Sequence, residues 1–505
     1  MPDAEKWKVA IKEEMASLRK NHTWDLVKRS KARNVVSCKW VFKVKSSGRY
    51  KARLVARGFS QEYGLDYWET YAPVARFSSI RLLLALAARH KLKVQQMDVQ
   101  TAFLYGDLTE EIYMEQPDLG EHTEDTDQVC KLRKSLYGLK QAPRVWNQVI
   151  DDFLKSRGLT PLACDPAVYI DRNQTDTDQF PLMLAIYVDD LVIVGPDMDQ
   201  IQGLKRELCE RFDMSDLGDI KNLLGIEIDR LSDGSFFLHQ GRYIGDLLAK
   251  HQMEGCKPVA TPMASKITGP MDEVDQTEYQ QLTGELMWPS LATRPDISYA
   301  VGYLARFNSK STVAHQQAQK RVLRYLKGTQ FYGILYKGSD PITGYCDSDW
   351  AGDTIDRKST SGGLFTLYGG AITWGAVKQK TVALSSVEAE YVAVATWVKE
   401  ALWTLQWLQE LNIDITTIGI YIDSTGALSF AENAQFSPRT KHIDIRHHFI
   451  RDHLEKGSIK LSYIPTEDNA ADALTKPLDR VKFEKFRAKM GILNREAVEM
   501  LDPSE

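Results

Sequence analysis

The stretch LMLAIYVDDLVIV, residues 182–194, is two apolar runs separated by two adjacent acids. Each run is strand-length and too apolar to face water, so the pattern predicts a buried hairpin with Asp189 and Asp190 at its tip. Aspartate is a common turn residue, and two at a tip ordinarily serve only the turn. Here the buried flanks hold the tip rigidly, and paired carboxylates repel each other unless a cation neutralises them. Upstream, the apolar segment in QQMDVQTAFLYGDL ends near a third acid, Asp98. Three carboxylates converging from two strand ends can hold a pair of divalent ions roughly 3.5–4 Å apart. One ion would activate a 3′-hydroxyl and the other steady a leaving pyrophosphate, which is nucleotidyl transfer.

Outward from this hairpin the pattern stays that of a mixed α and β protein. Helices are expected at 78–88, 144–157, 198–212, 242–251, 278–291 and 313–327, with one more within residues 1–27 ahead of the extended TWDLV. Residues 35–55 read as two strands around a Ser46-Ser47-Gly48 turn. With 505 residues and 57.3 kDa the chain is too long for one core, and roughly 100–200 residues per domain predicts three to four domains. The hydrophobic fraction of 43% and charged fraction of 26% exclude a disordered or fibrous chain. No apolar run reaches the ~18 residues of a membrane span, and the N-terminus lacks the layout of a secretion signal. Six widely spaced cysteines with no C-x-x-C pair exclude a disulfide framework and predict an intracellular setting.

The net charge of −4 hides an asymmetry. Residues 1–60 contain 16 Lys plus Arg against 5 acids, and residues 94–130 contain ten acids and no Lys or Arg. The acidic stretch from Glu110 to Asp127 reads as a solvated surface. In KWVFKVKSSGRYKARLVARGFSQ (39–61), Trp40, Phe42, Tyr50 and Phe59 interleave with cations. That mixture suits phosphate contacts and base stacking.

A second sheet is expected from Gly344 onward. It begins with a strand, continues through hairpin-linked strands with Gly362-Gly363 and Gly369-Gly370 at turns, and leads into a long helix. That helix shows Tyr391, Ala395, Val398, Leu402 and Leu405 on one face. The strands IGIYID and IKLSYI complete a five-strand mixed sheet with helices on its faces. Acids again fall at element ends: Asp347, Glu390, Asp423 and Asp472. Each alone reads as a cap or surface charge; together they suggest a two-metal site for phosphodiester hydrolysis.

The motifs YKARLVARGFSQ, ETYAPVAR, QMDVQTAFLYGDL, YMEQP, SLYGLKQAPRVW, IYVDDLVIVG, TRPDISYAV, RYLKGT, DSDWAGD, RKSTSG, LSSVEAEY, TKHIDIRHHFIRD and ADALTK run in order along nearly the whole chain. In these the chain resembles the reverse transcriptase–RNase H region of a copia-type LTR retrotransposon Pol polyprotein. The resemblance implies a right-hand-type polymerase, α+β and α/β, followed by an RNase H-like five-strand domain. Its expected divisions are 1–235 (fingers and palm), 236–340 (thumb and connection), 341–480 (RNase H-like) and 481–505 (tail, a helix with a frayed acidic end).

The resemblance also assigns roles. Asp98, Asp189 and Asp190 are the polymerase acids, and Phe103 falls where related polymerases block a ribose 2′-hydroxyl, although a plain core Phe fits there too. Gly138 to Pro143 matches the loop against the nascent base pair, with Tyr137, Gly138, Lys140 and Gln141 as contacts. Lys51 and Arg53 lie where cations meet the incoming triphosphate, and the resemblance does not decide between them. Leu224 to Glu227 resembles the hairpin that grips a primer end. Asp347 and Asp423 are the first and third nuclease acids. Glu388 and Glu390 compete for the second, and the Ala three residues on favours Glu390. Asp468 and Asp472 compete for the fourth, and the Asn469 to Leu474 spacing favours Asp472. The motif histidine of other RNase H enzymes has no counterpart in SYIPTEDNAAD. His442, His447, His448 and His453 fit no tetrahedral metal spacing and read as helix surface.

Implied cofactors are two Mg2+ per site, or Mn2+ in their place. Implied partners are RNA template, DNA primer and product, RNA–DNA hybrid, dNTPs, a tRNA primer and other element-encoded proteins, with no membrane. The implied setting is a cytoplasmic virus-like particle or the nucleus. Capsid, protease and integrase segments accompany this region in a complete element, so the chain is expected to be a processed product, an isolated fragment or a truncated copy. A remnant that binds nucleic acid without catalysis is the competing expectation.

Overall fold

Apolar runs that stop at acids build two of the sheets, and the acids therefore stand where the strands end. The computed structural model describes residues 3–30, 34–44, 48–119, 127–172, 180–432 and 444–502. They group into two compact units. One comprises Met1–Ala75, Gln96–Ile193 and Asp199–Gly218; the other comprises Arg76–Gln95, Val194–Met198 and Asp219–Glu505. The fold is mixed α+β and α/β, as expected.

The first unit carries a six-stranded sheet in the order Met214–Asp219, Lys93–Val99, Asp190–Gly195, Met183–Tyr187, Val168–Asp171, Leu159–Pro161. Met183 to Ile186 and Leu191 to Gly195 are buried without alternation, so both faces of the hairpin are covered. The turn differs from expectation by one residue: Val188 and Asp189 make it, and Asp190 opens the return strand. Val188 takes a left-handed backbone, φ 61°, which is costly for a β-branched residue. Its carbonyl accepts a hydrogen bond from Trp146 Nε1 at 2.7 Å, from the helix Ala142–Ser156.

The basic segment of this unit forms the expected hairpin, Cys38–Val44 against Tyr50–Ala56, in register from Cys38↔Ala56 to Val44↔Tyr50. Ser46 and Ser47 lie outside the described residues. Trp7, on the helix Ala4–Lys20, packs edge-on against Phe42 and Tyr50 at 5.1 and 4.5 Å.

The second unit contains the five-strand mixed sheet, in the order Gly370–Lys378, Thr360–Leu367, Thr343–Ser348, Ile418–Ile422, Ile459–Tyr463. The first three strands are antiparallel, and the last two are added in parallel. The helix Ser386–Glu410 starts at Ser385, whose side chain accepts the Glu388 N–H. Its residues Tyr391, Ala395, Val398 and Leu405 are buried, while Leu402 is half-buried at the margin of that face.

Gly369-Gly370 is at a turn, but Gly362-Gly363 is not: both lie inside the strand Thr360–Leu367. Their role is close approach. A Cβ on Gly363 would sit 2.0 Å from Trp397 Cδ2, and one on Gly362 would sit 2.6 Å from Thr475 Cγ2. Turn-like composition misled here because glycine serves tight packing as readily as tight turns.

Residues 481–505 do more than fray. After the helix Arg480–Lys489 the strand Ile492–Asn494 pairs antiparallel with Tyr332–Tyr336, from Tyr332↔Asn494 to Ile334↔Ile492. It forms the edge of a second five-stranded sheet, after Asn222–Leu223, Ile226–Arg230, Phe236–His239 and Tyr332–Tyr336. Three residues are too few for any periodicity to reveal, so sequence patterning missed this strand.

No helix among the described residues is long and apolar enough to cross a membrane, and the six cysteines are free thiols.

In TRPDISYAV the cation and anion form a fully buried pair. Arg294 donates to Asp296 through Nε at 2.9 Å and Nη2 at 2.7 Å, and to the Thr329 carbonyl at 2.8 Å. Tyr325 donates its hydroxyl to the same carboxylate at 2.5 Å. Asp296→Asn leaves Arg294 charged and uncompensated, and removing one partner of such a pair costs about 3–5 kcal/mol. Urea unfolding of Asp296→Asn is expected to show a loss of that size; a loss under ~1 kcal/mol, typical of exposed pairs, would contradict this account.

Candidate active sites

In the first unit, Asp98 stands near the end of Lys93–Val99, and Asp189 and Asp190 stand at the tip of the neighbouring hairpin. The backbone ties them together, because the Val99 N–H donates to the Asp189 carbonyl at 2.9 Å. Gln96 Nε2 donates to Asp190 Oδ1 at 3.1 Å. Burial, then the charges of Asp189 and Asp98, push the Asp190 carboxyl up to about 6 despite that hydrogen bond. All three acids are half-buried. Their carboxylates are adjacent but are not drawn into a single close cluster.

Tyr137 lies near these acids, with Arg53 and Phe103 packed on it. Tyr137 lies under the Arg53 guanidinium, 4.6 Å from the ring centre, and Phe103 meets it edge-on at 4.6 Å. Burial lifts the Tyr137 phenol to about 12, with Arg53 opposing and Asp189, Glu14 and Asp98 adding to the rise. Ser135 Oγ donates to the Phe103 carbonyl, which pins that residue's backbone. Gly138 sits at φ 93°, and a Cβ there would lie 2.0 Å from the Ala56 carbonyl oxygen. The basic hairpin therefore packs directly on this loop, joined also by the Ala56 N–H donating to the Tyr137 carbonyl at 2.8 Å.

Lys140 and Gln141 both bond to the loop around residues 58–67. Lys140 donates to the Gln61 carbonyl at 3.1 Å and the Tyr67 hydroxyl at 3.2 Å. Gln141 is buried, receives Gln61 Nε2 at 3.0 Å and donates to the Asp66 carbonyl at 2.8 Å. Both brace that loop.

Lys51 lines a cavity of about 210 Å³ with Asp98, Arg49, Glu13 and Glu14. The two glutamates come from the helix Ala4–Lys20 and escaped sequence reasoning. Their i, i+1 position among lysines resembles any solvated helix face. Burial raises the Glu14 carboxyl, which accepts the Leu54 N–H at 3.3 Å.

The second unit concentrates its acids more tightly. Asp347, Glu390 and Asp423 each bring one carboxylate oxygen within 4.8 Å of the others, the one such grouping among the described residues. Thr343–Ser348, Ser386–Glu410 and the end of Ile418–Ile422 deliver them. Glu388 serves elsewhere, accepting the Leu384 N–H at 2.8 Å. Asp468 is on the surface, paired with Lys485 and Lys489 at 2.9 and 3.1 Å.

Asp472 is fully buried beside Asp347 but outside that trio, and two lysines pair with it. Lys476 Nζ is 2.5 Å from Oδ1, and Lys482 Nζ is 2.5 Å from Oδ2. The segment reaches the sheet through Asn469 Nδ2 donating to the Cys346 carbonyl at 2.9 Å and Thr475 Oγ1 donating to Asp347 Oδ2.

Burial first, then Asp472 and Asp423, hold the Asp347 carboxyl well above the usual range, with Lys476 opposing. Burial, then Asp347 and Asp423, do the same to Glu390. Glu390 Oε2 is buried with no hydrogen-bond donor. Hard oxygen donors, crowded charge and an unpartnered carboxylate oxygen fit a divalent cation such as Mg2+.

Of the histidines, His447 departs from expectation: it is buried against Phe430, 4.8 Å between ring centres, whereas His448 is exposed on the helix Asp444–Glu455 as expected. His442 lies outside the described residues.

The raised acids set a pH dependence. With folded values above the unfolded ones, the native protein keeps protons that the unfolded chain has released, so stability falls as pH rises above the ordinary carboxylate range. Asp347→Asn carries no such proton. In EDTA it is expected to melt several degrees above the parent chain at pH 8.5, with the gap closing toward pH 4. A gap that widened on acidification would refute the assignment of a raised Asp347.

Residues 21–265 match the reverse transcriptase (RNA-dependent DNA polymerase) family. The retrovirus-related Pol polyprotein of transposon TNT 1-94 from Nicotiana tabacum is 44% identical over 97% of this chain, and the chain spans 38% of that polyprotein's length. A Ty5-1 transposon protein of Saccharomyces cerevisiae is 34% identical over 60% of this chain and all of its own length. Among solved structures, a foamy viral protease–reverse transcriptase in complex with double-stranded DNA covers 91% of this chain and 70% of its own, with TM-score 0.49 and 14% identity. The chain belongs to the reverse transcriptase family of copia-type retrotransposon Pol polyproteins.

Proposed function

We propose that the chain is an RNA- and DNA-templated DNA polymerase with an attached ribonuclease that cuts the RNA strand of RNA–DNA hybrids. The observation that carries the polymerase reading is the rigid tip that sets Asp189 and Asp190 beside Asp98. In this reading the primer 3′-hydroxyl attacks the α-phosphate of a dNTP, and pyrophosphate leaves. Two Mg2+ ions, or Mn2+ in their place, supply the positive charge for both atoms when bound to these carboxylates. In this reading Arg53 or Lys51 would meet the triphosphate, and the Phe103–Tyr137 pair would bound the sugar. Template RNA, a DNA primer and a tRNA that starts synthesis are the partners, in a cytoplasmic particle or the nucleus.

The nuclease reading rests on the Asp347–Glu390–Asp423 cluster, with Asp472 adjoining it. Residues 1–235 would act as fingers and palm, 236–340 as thumb and connection, 341–480 as nuclease. The strand Ile492–Asn494 ties the 481–505 tail to the connection. The 2′-hydroxyls of the RNA strand would distinguish it from DNA.

Asp189→Asn is expected to bring primer extension with Mg2+ to background while template binding persists, since phosphate contacts come from the basic hairpin. Asp423→Asn is expected to abolish hybrid cleavage and spare extension. Full extension by Asp189→Asn, or joint loss of both activities in a folded Asp423→Asn protein, would sink the two-site reading. A chain that bound template but performed neither reaction would instead be a non-catalytic remnant.

Phe103→Ala tests the sugar filter. Forcing a 2′-hydroxyl against a packed ring typically costs ~1–3 kcal/mol. Its removal should raise ribonucleotide relative to deoxynucleotide incorporation roughly ten- to a hundredfold. A lowered melting temperature with an unchanged ratio would leave Phe103 as core alone.

A further inference from the structure

Lys476 follows Asp472 by one helical turn, and its ammonium is 2.5 Å from Oδ1, a close ion pair rather than an aligned hydrogen bond. The opposite oxygen is held by Lys482, from the helix Arg480–Lys489. Lys476 is not a private partner of Asp472. Its charge also acts on Asp347, Asp423 and Glu390, so it lies within the field of all four acids. Burial works against that ammonium, and the surrounding carboxylates outweigh it.

Charge balance narrows what the cluster can accept. With all four acids ionised, the two lysines and one divalent ion bring it to neutrality, whereas a second divalent ion would leave it with two excess positive charges. Asp347, Glu390 and Asp472 are buried, and uncompensated charge beside buried groups is disfavoured.

We propose that Lys476 is a built-in cation of the nuclease site: it fills the position beside Asp472 and Asp347 that a second divalent ion would otherwise take. Without nucleic acid the site therefore holds one ion, in the Asp347–Glu390–Asp423 cluster. The proposal rests on the nuclease reading of this cluster and concerns how its charge is divided between protein and metal.

Mn2+ titration followed by electron paramagnetic resonance tests it on the full chain carrying Asp98→Asn, Asp189→Asn and Asp190→Asn, without nucleic acid. That background is expected to bind one Mn2+ tightly. Adding Lys476→Met should admit a second, or tighten binding tenfold or more, while Lys476→Arg should behave as the background. A Lys476→Met protein that melts lower yet binds one Mn2+ with unchanged affinity would reduce Lys476 to an ordinary ion pair and overturn the proposal. So would a second tight ion in the Lys476→Arg protein, a result that does not depend on the Met variant folding. Adding Asp347→Asn to the background separates the two claims: tight binding that survives it removes the metal-centre reading itself, whatever Lys476 does.

Discussion

Three carboxylates held within 4.8 Å of one another repel by roughly 3–4 kcal/mol per ionised pair at an effective dielectric constant near 20. That is a sizeable share of the ~5–15 kcal/mol by which a domain is stable, so the scaffold must resist spreading. The sheet beneath the second site does so by close packing. Trp397 lies against Gly363, and Thr475 against Gly362, where no side chain would fit. The crowding that makes the site receptive to a cation is thus maintained by two missing side chains on the neighbouring strand.

The first unit meets the same problem by other means. Its acids are half-buried, and Gln96 takes up one oxygen of Asp190. The constraint falls on the backbone instead: Val188 is held in a left-handed conformation, with Trp146 on its carbonyl and Val99 donating to the next one. Strain stored in a turn and repulsion stored in a cluster are two routes to the same end, acids that stay put. The two sites are therefore expected to differ in pH response. Burial and its acidic neighbours push Asp190 up to about 6, whereas heavier burial and crowding push Asp347 and Glu390 higher still.

Features carried by several residues in a row were legible in the sequence. The apolar hairpin follows from two continuous apolar runs, the helix Ser386–Glu410 from its three- and four-residue spacing, and the five-strand mixed sheet from its succession of strands and helices. The acids at strand ends followed with them. Features that depend on a partner distant in the chain were hidden. Gly362-Gly363 looks like a turn until Trp397 and Thr475 are brought against it. Lys140 and Gln141 sit in a motif that suggests substrate contact, and only the fold turns them toward Gln61 and Asp66. Lys476 was in plain view within ADALTK, yet nothing local to that motif shows that its charge reaches Asp347 and Glu390. His447 read as surface because a histidine among charged residues carries no sign of the Phe430 ring that covers it.

The pairing of Ile492–Asn494 with Tyr332–Tyr336 bears on how the chain is made. The second unit begins with the helix Phe77–His90, but one of its sheets stays open along the Tyr332–Tyr336 edge until residue 494 has left the ribosome. The unit's other early parts must wait as well, since Arg81 donates to the carbonyls of Leu291 and Ile372. Contacts so distant in sequence are slow to form, and an unpaired edge strand invites pairing with another chain. The first unit has all its segments by residue 218. Synthesis from the N-terminus thus hands the chain every segment of the first unit long before the second can close. During that interval the exposed Tyr332–Tyr336 edge is the place where a chaperone would have most to protect.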